Sequence, residues 1–275
     1  MWRLSAFADE ISPDFGEQCS LLRELGVRHL DLRSAWDTNV LDLDEGQLAR
    51  VIQTLKRSAI TVSAVGSPIG KIYLDDDFDD HMARMRQAVK VAHLVSAPYI
   101  RVFSFFVRPG TDPDSGRDEV LRRLAKLTRI AEEENIVLLH ENEKDIYGDT
   151  PSRCLDIIES INSEHLRATW DPANFVQVGN SPFSDGYAML RPYLVHMQVK
   201  DAISATGQVV PAGRGDAQIV ETVRALQADG FQGYFSLEPH LGIGHSMGGF
   251  SGPDLFTEAW RAFTAILAEE DIGYN

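Results

Sequence analysis

The sequence predicts a (β/α)8 barrel, and three observations carry that prediction. Eight short apolar runs rich in β-branched and aromatic residues alternate with longer stretches of helical periodicity. Strict alternation of this kind implies parallel strands joined by right-handed crossovers. Eight such units in 275 residues match the size of a closed barrel, roughly 250 residues. A doubly wound open sheet is the runner-up. It is weakened because the chain after the first strand reads FADEISPD and lacks a GxGxxG turn. No Pro/Gly/Ser-rich linker and no low-complexity tract interrupts the chain, so residues 1–275 are expected to form one domain.

The strands are expected at LSAFA (4–8), HLDLR (29–33), ITVSAV (60–65), YIRVFSF (99–105), IVLLHE (136–141), LRATWD (166–171), LVHMQVK (194–200) and GYFSLE (233–238). Helical patterns lie between them. FGEQCSLLREL spaces Phe15, Cys19, Leu22 and Leu25 along one face. DEVLRRLAKLTRIAEEEN places Leu121, Leu124, Leu127 and Ile130 three apart, with charges elsewhere. Further helices are expected through 44–58, 78–95, 151–162, 217–229 and 254–270. Asp44, Thr150-Pro151 and Gly252-Pro253 are plausible helix starts. The stretch DPANFVQVGNSPFSDGYAML reads as a long loop plus a short helix.

Composition narrows the function. The chain holds 41 acidic and 26 basic side chains, a formal net charge of −15. Such a surface repels phosphate backbones and anionic lipids, so neither nucleic acid nor membrane is expected as a partner. Cys19 and Cys154 imply neither a disulfide framework nor a zinc motif. The start, MWRLSAFADEIS, lacks the pattern of a signal peptide, and no apolar run approaches the roughly 18 residues of a membrane span. The expected location is the cytoplasm.

Active sites of such barrels lie at the C-terminal ends of the strands. Strand five ends in Glu141, strand six in Asp171, strand seven in His196, Gln198 and Lys200, and strand eight in Glu238 and His240. Alternation puts Leu139 with Glu141, Thr169 with Asp171, and Ser236 with Glu238 on common faces. Carboxylates packed into one mouth repel each other and are costly to bury unless a cation neutralises them. A divalent metal accounts for them economically.

FADEIS, LHENE, WDPAN, HMQVKD and SLEPH, in this order, resemble the xylose isomerase-like barrel superfamily. Its members include sugar isomerases and epimerases, inosose isomerases and dehydratases, and more distantly the type IV apurinic endonucleases. The spacings of 30, 27 and 40 residues between the four ligand positions carry most of the likeness. The resemblance implies Glu141, Asp171 and Glu238 as metal ligands. The histidine of an HxKD-type strand-seven motif falls on Gln198, because QVKD stands in that register. His196, on the same face and about 7 Å deeper, is the alternative ligand. An all-oxygen set suits one hard divalent ion per chain, Mn2+ or Mg2+ rather than Zn2+. The implied chemistry is acid–base work on a hydroxy-ketone of the carbohydrate class. The metal holds carbonyl and hydroxyl, and Glu141 and Glu238 remove and return a proton. A lyase acting on a keto-sugar or keto-inositol is the alternative. Ketose 3-epimerases usually carry histidine three residues after the strand-six aspartate, where Asn174 stands here. A homodimer is expected from the resemblance alone.

Other residues are candidates for the pocket. Lys200 could hold a substrate oxygen or a phosphate, or pair with Asp201 or another neighbour. Arg101 could face the pocket or be a buried, paired arginine. His240, Glu143, Asn174 and His196 complete the substrate-binding set. Asp9-Glu10 ends strand one, and Arg214 in PAGRGD reads as a turn. The run GIGHSMGGFSGPD could present backbone N–H groups to a phosphate, or be a plain loop. Phe7, Trp36, Phe103, Phe105 and Trp170 could wall the pocket, although aromatics at strand positions are more often core.

Overall fold

The structure is a computed structural model, and it describes residues 1–242 and 249–275. Eight parallel strands form a nearly closed barrel: β1 (Arg3–Ala6), β2 (His29–Leu32), β3 (Thr61–Ile69), β4 (Tyr99–Val102), β5 (Val137–Glu141), β6 (Leu166–Trp170), β7 (Leu194–Val199) and β8 (Tyr234–Leu237). Their order around the ring is β1-β8-β7-β6-β5-β4-β3-β2. The remaining seam, β1 beside β2, is clasped by Ser5 Oγ donating to Asp31 Oδ1 at 3.1 Å.

Helices surround the strands: α1 (Phe15–Glu24), α2 (Glu45–Ser58), α3 (Asp79–Val95), α4 (Arg117–Glu133), α5 (Pro151–Ile161), α6 (Pro172–Gln177), α7 (Ile219–Ala228) and α8 (Gly252–Glu269). The expected start signals hold for physical reasons. Asp44 caps α2 in a capping box with Gln47, which satisfies two otherwise orphaned donors. Thr150 accepts from Arg153 N, and Pro151 takes the first helical position of α5, where its missing N–H costs nothing. Helices and strands share one apolar cluster. Leu4, Leu30, Ile100, Leu138, Leu166 and Phe235 meet Phe15, Leu55, Leu127, Ile157, Val223 and Phe263 there. Each such side chain, fully buried, stabilises the fold by about 1.5–3 kcal/mol.

The structure corrects three boundaries. β3 runs on to Ile69 through a register irregularity against β4, four residues past the expected end. β4 stops at Val102 rather than 105, and Phe105 takes φ +67, which no strand accommodates. After β6 the order is reversed from the expectation. Asp171 caps α6 at once by accepting from Asn174 N at 3.0 Å, and the irregular stretch follows the helix.

Candidate metal and catalytic site

Glu141, Asp171 and Glu238 come together as the pleat and the strand ends require. Each offers a carboxylate oxygen, and these oxygens lie within 4.8 Å of one another. All three are buried, at 2%, 0% and 2% exposure. Basic side chains thread between them. Arg101 Nη1 reaches Glu141 Oε2 at 3.1 Å and Glu238 Oε1 at 3.4 Å. Lys200 Nζ reaches Asp171 Oδ2 at 2.6 Å and Glu238 Oε2 at 3.4 Å. Arg33, just past β2, reaches Glu238 Oε1 at 2.9 Å and Asp9 Oδ2 at 2.7 Å.

The electrostatics of the three acids differ. Burial pushes Glu141 up, and Arg101 opposes this only in part. Burial, together with the charges of Glu141 and Glu238, pushes Asp171 up to about 7 against the pull of Lys200. Burial acts on Glu238 as well, but Lys200, His240 and Arg33 overcome it and hold that carboxyl well below its usual range. Lys200 is held charged: burial works against the ammonium, and Asp171, Glu238, Glu143 and Glu141 outweigh it.

Strand seven settles its own register. Gln198 donates its Nε2 to Glu141 Oε2, and its Oε1 is buried without a hydrogen-bond partner. His196 is not brought to this cluster, either as the alternative ligand or as a pocket residue. It lies a layer deeper, with Nε2 2.9 Å from Asp31 Oδ2 and Nδ1 2.7 Å from Thr169 Oγ1. The reason is Asp31, whose charge sits inside the barrel. Burial raises its pKa, but His196 and Ser63 more than compensate.

The other expected residues divide. His240 reaches Glu10 Oε1 at 3.3 Å and Glu238 Oε1 at 3.6 Å, and remains partly exposed. Glu10 also accepts from His240 N and from Ser251 Oγ, both at 2.8 Å, so one buried carboxylate grips the histidine by backbone and ring. Glu143 pairs with Lys71 at 3.2 Å at the edge of the cluster. Asn174 spends its side-chain N–H on Asn142 O at 2.9 Å. Asn142 in turn both donates to and accepts from the Asp171 backbone, at 2.8 and 2.9 Å. Lys200 pairs with Asp171 and Glu238 rather than Asp201, because four backbone N–H groups, those of Ala202, Gly213, Gly215 and Ala217, already fill the Asp201 carboxylate. Arg214 pairs with exposed Glu258 at 2.6 Å, away from the cluster. The phosphate-cradle expectation for GIGHSMGGFSGPD rests largely on residues 243–248, which lie outside the described residues. Phe7 and Phe103 lie against the basic side chains of the mouth. Phe105 and Trp170 are core.

These residues fit a hard divalent cation. The donor set is three carboxylates plus one unpartnered amide oxygen. The buried charge also fits: the carboxyls of Asp9, Glu10, Glu141, Asp171 and Glu238 crowd about Arg33, Arg101 and Lys200, and burial pushes Glu10, Glu141 and Asp171 toward their protonated forms, a cost that a cation relieves. None of these residues lines the cavity of about 620 Å³ bounded by Asn180, Asp201, Asp216 and Gln218.

Several known proteins are similar. A protein from Mycobacterium smegmatis described as a xylose isomerase-like TIM barrel in complex with magnesium superposes at a TM-score of 0.73, with 19% identity over 98% of this chain and 97% of the other. A D-tagatose 3-epimerase-like protein superposes at 0.77, with 15% identity over 98% of each. The probable 3-DHS dehydratase AsbF of Bacillus anthracis superposes at 0.72, with 18% identity over 96% and 98%. These likenesses are of fold. In sequence, the uncharacterized protein MJ1311 of Methanocaldococcus jannaschii is 25% identical over 125 residues, 44% of this chain, and the match spans 43% of that relative's length. The family described as xylose isomerase-like TIM barrel matches residues 19–261, nearly the whole barrel, and the chain belongs to that family.

Proposed function

We propose that this chain is a divalent-cation-dependent isomerase or epimerase of a small hydroxy-ketone of the carbohydrate class. The observation that carries the reading is the placement of Glu141 and Glu238. They come from β5 and β8, yet one guanidinium nitrogen of Arg101 lies within 3.4 Å of both. Two carboxyl groups held about one point, in opposite electrostatic settings, suit removal and return of a proton. Glu141, Asp171 and Glu238, with Gln198 Oε1, would hold the ion. When bound, such an ion supplies Lewis acidity toward a carbonyl and its neighbouring hydroxyl.

This chain's own groups do the rest. Glu238, kept ionised by Lys200, His240 and Arg33, takes the proton from the carbon between carbonyl and hydroxyl. Glu141, held by Arg101 on the other side of that point, returns one. Return to the opposite face of the same carbon gives an epimer, and return to the neighbouring carbon gives an isomer. Arg101 and Lys200 keep both carboxyl groups in place and donate to substrate oxygens.

A lyase that expels a β-leaving group after the same proton removal is the second reading. Asn174 favours keeping it open, because this residue stands where 3-epimerases carry histidine and its side chain is committed to Asn142. The test is a screen of ketoses and keto-cyclitols in deuterated water with Mn2+. Deuterium entering recovered sugar supports the isomerase reading, and an unsaturated product with new ultraviolet absorbance supports the lyase. Glu141→Gln and Glu238→Gln should each lower turnover by about 10²–10⁴-fold. Unchanged turnover in either variant sinks both readings.

A further inference from the structure

Four basic side chains approach Glu238, and His240 differs from the rest. Its side chain is 26% exposed, against 5%, 7% and 3% for Arg33, Arg101 and Lys200. Its backbone takes φ +48, a left-handed conformation that a residue other than glycine keeps only where its surroundings enforce it.

Glu10, fully buried in the turn after β1, does the enforcing. Its Oε2 accepts from His240 N and from Ser251 Oγ, and its Oε1 lies 3.3 Å from His240 Nε2. Ser251 N donates to Glu10 O at 3.0 Å, Leu241 N donates to Ser251 Oγ at 3.0 Å, and Gly242 N donates to Phe250 O at 2.8 Å. One side chain thus ties the turn after β8, and the residue before α8, to the end of β1. Gly249 confines the ring further. A Cβ there would lie 1.7 Å from His240 Cδ2 and 2.2 Å from its Cγ, so the imidazole fills the place of the missing side chain. Arg33 Nη2 donates to Gly249 O at 3.4 Å and keeps that wall in position. The confined ring presents Nε2 3.6 Å from Glu238 Oε1. None of these contacts depends on whether Glu10 or His240 carries the proton between them.

We propose that Glu10 is a positioning residue: it holds the His240 ring at Glu238, and the absent side chain of Gly249 leaves the ring its place. A displaced ring leaves Glu238 Oε1 to Arg33 and Arg101, and the carboxyl loses one of the groups that orient it for proton removal. This effect on turnover rests on the isomerase reading of the mouth, whereas the hold on the ring is measured without any substrate.

Carbethoxylation of the metal-free chain by diethyl pyrocarbonate, located by peptide mass spectrometry, reads that hold. His240 Nε2 is buried, and it should react at least about tenfold faster in Glu10→Ala, because its exposure no longer breaks bonds to the carboxylate. Gly249→Ala displaces the ring with Glu10 intact and should give a rise of the same order. Ser251→Ala frees one of the two donors on Glu10 Oε2; it should give a smaller rise, and it stands in for Glu10→Ala in both measurements if that variant does not fold. Turnover is read on the Mn2+-loaded chain as deuterium entering D-fructose, D-tagatose, D-psicose or D-sorbose, whichever exchanges fastest. Glu10→Ala should lower kcat about 10- to 100-fold, with KM within about threefold of the unaltered value and Mn2+ content unchanged. His240→Ala should lose as much, and the double variant Glu10→Ala/His240→Ala should be no slower than His240→Ala alone. Carbethoxylation unmoved by Glu10→Ala and Ser251→Ala, a rise in KM without a fall in kcat, or additive losses in the double variant would each overturn the proposal. No exchange by the unaltered chain would instead sink the isomerase reading, and the carbethoxylation rates would then decide the role of Glu10 by themselves.

Discussion

Lys200 Nζ stands 2.6 Å from Asp171 Oδ2, and the two side chains are 3% and 0% exposed. A buried pair of this kind is destabilising to break, because the surviving charge has no water to turn to; removing one partner costs about 3–5 kcal/mol. Lys200→Met should therefore lower the melting temperature measured in EDTA. A divalent ion among Glu141, Asp171 and Glu238 would supply part of the missing charge. The expected outcome is a larger rise in melting temperature on adding Mn2+ for Lys200→Met than for the unaltered chain. An equal rise in both would show that Lys200 and the ion do not compensate the same carboxylates.

Gly70 tests the close approach at the end of β3. Its φ is +93, and a Cβ there would sit 2.0 Å from Phe103 O. Gly26 has nearly the same backbone, φ +82, with nothing within 4 Å of its Cβ position. Gly26→Ala should cost only the left-handed backbone penalty, about 1–2 kcal/mol. Gly70→Ala adds a collision with backbone and should cost at least about 3 kcal/mol. Urea midpoints measure both, and loss of soluble protein for Gly70→Ala alone also meets the expectation. Equal midpoints would contradict it.

His81 makes stability depend on pH. It is 5% exposed and its Nε2 accepts from Gly70 N at 2.6 Å, so the folded chain needs the ring neutral. Burial first, then Arg84 and Arg123, push its pKa from 6.5 down to about 4. The unfolded chain binds a proton as the pH falls through 6.5, and the folded chain does not until about 4. Stability from this group is thus complete above pH 6.5 and is lost between 6.5 and 4, by about 1–2 kcal/mol at pH 5. His81→Gln keeps an acceptor for Gly70 and should flatten the urea midpoint between pH 7 and 5 by that amount. A variant with the unaltered slope would refute the assignment.

Glu141, Asp171 and Glu238 are legible because each ends an apolar strand whose alternation fixes the inward face. Arg33 closes HLDLR in the same way, but an arginine there carries no metal-type signal. Lys71 is not legible. It meets Phe103 and Glu143 only because β3 runs on to Ile69, and that extension has no periodic signal of its own in GSPIG. The pairing of Asp31 with His196 across the barrel is also invisible. Alternation says that both point inward and leaves their depth and partners open. Asn142 carries no metal-type signal, yet its amide ties the end of β5 to the backbone of Asp171. Local pattern thus gives strand ends and facing, whereas contacts between strands distant in sequence depend on register and shear.

Gln198→His tests the oxygen character of the site. Gln198 presents an unpartnered Oε1 while its Nε2 holds Glu141. An imidazole there would replace a hard oxygen donor with a nitrogen, and nitrogen ligation favours Zn2+ over Mn2+ and Mg2+. The measurement is competitive dialysis of metal-stripped protein against equal Mn2+ and Zn2+, with bound metal counted by plasma mass spectrometry. The Zn2+-to-Mn2+ ratio should rise at least about tenfold in the variant, about 1.4 kcal/mol of altered preference. Glu141→Gln, in contrast, should lower uptake of both ions, because it removes a charge that neither ion can replace. A ratio unmoved by Gln198→His would place Gln198 outside the ligand set and leave three carboxylates. Absence of uptake by the unaltered chain would leave the buried acids to Arg33, Arg101, Lys200 and His240, and would take the cation out of the proposed reaction.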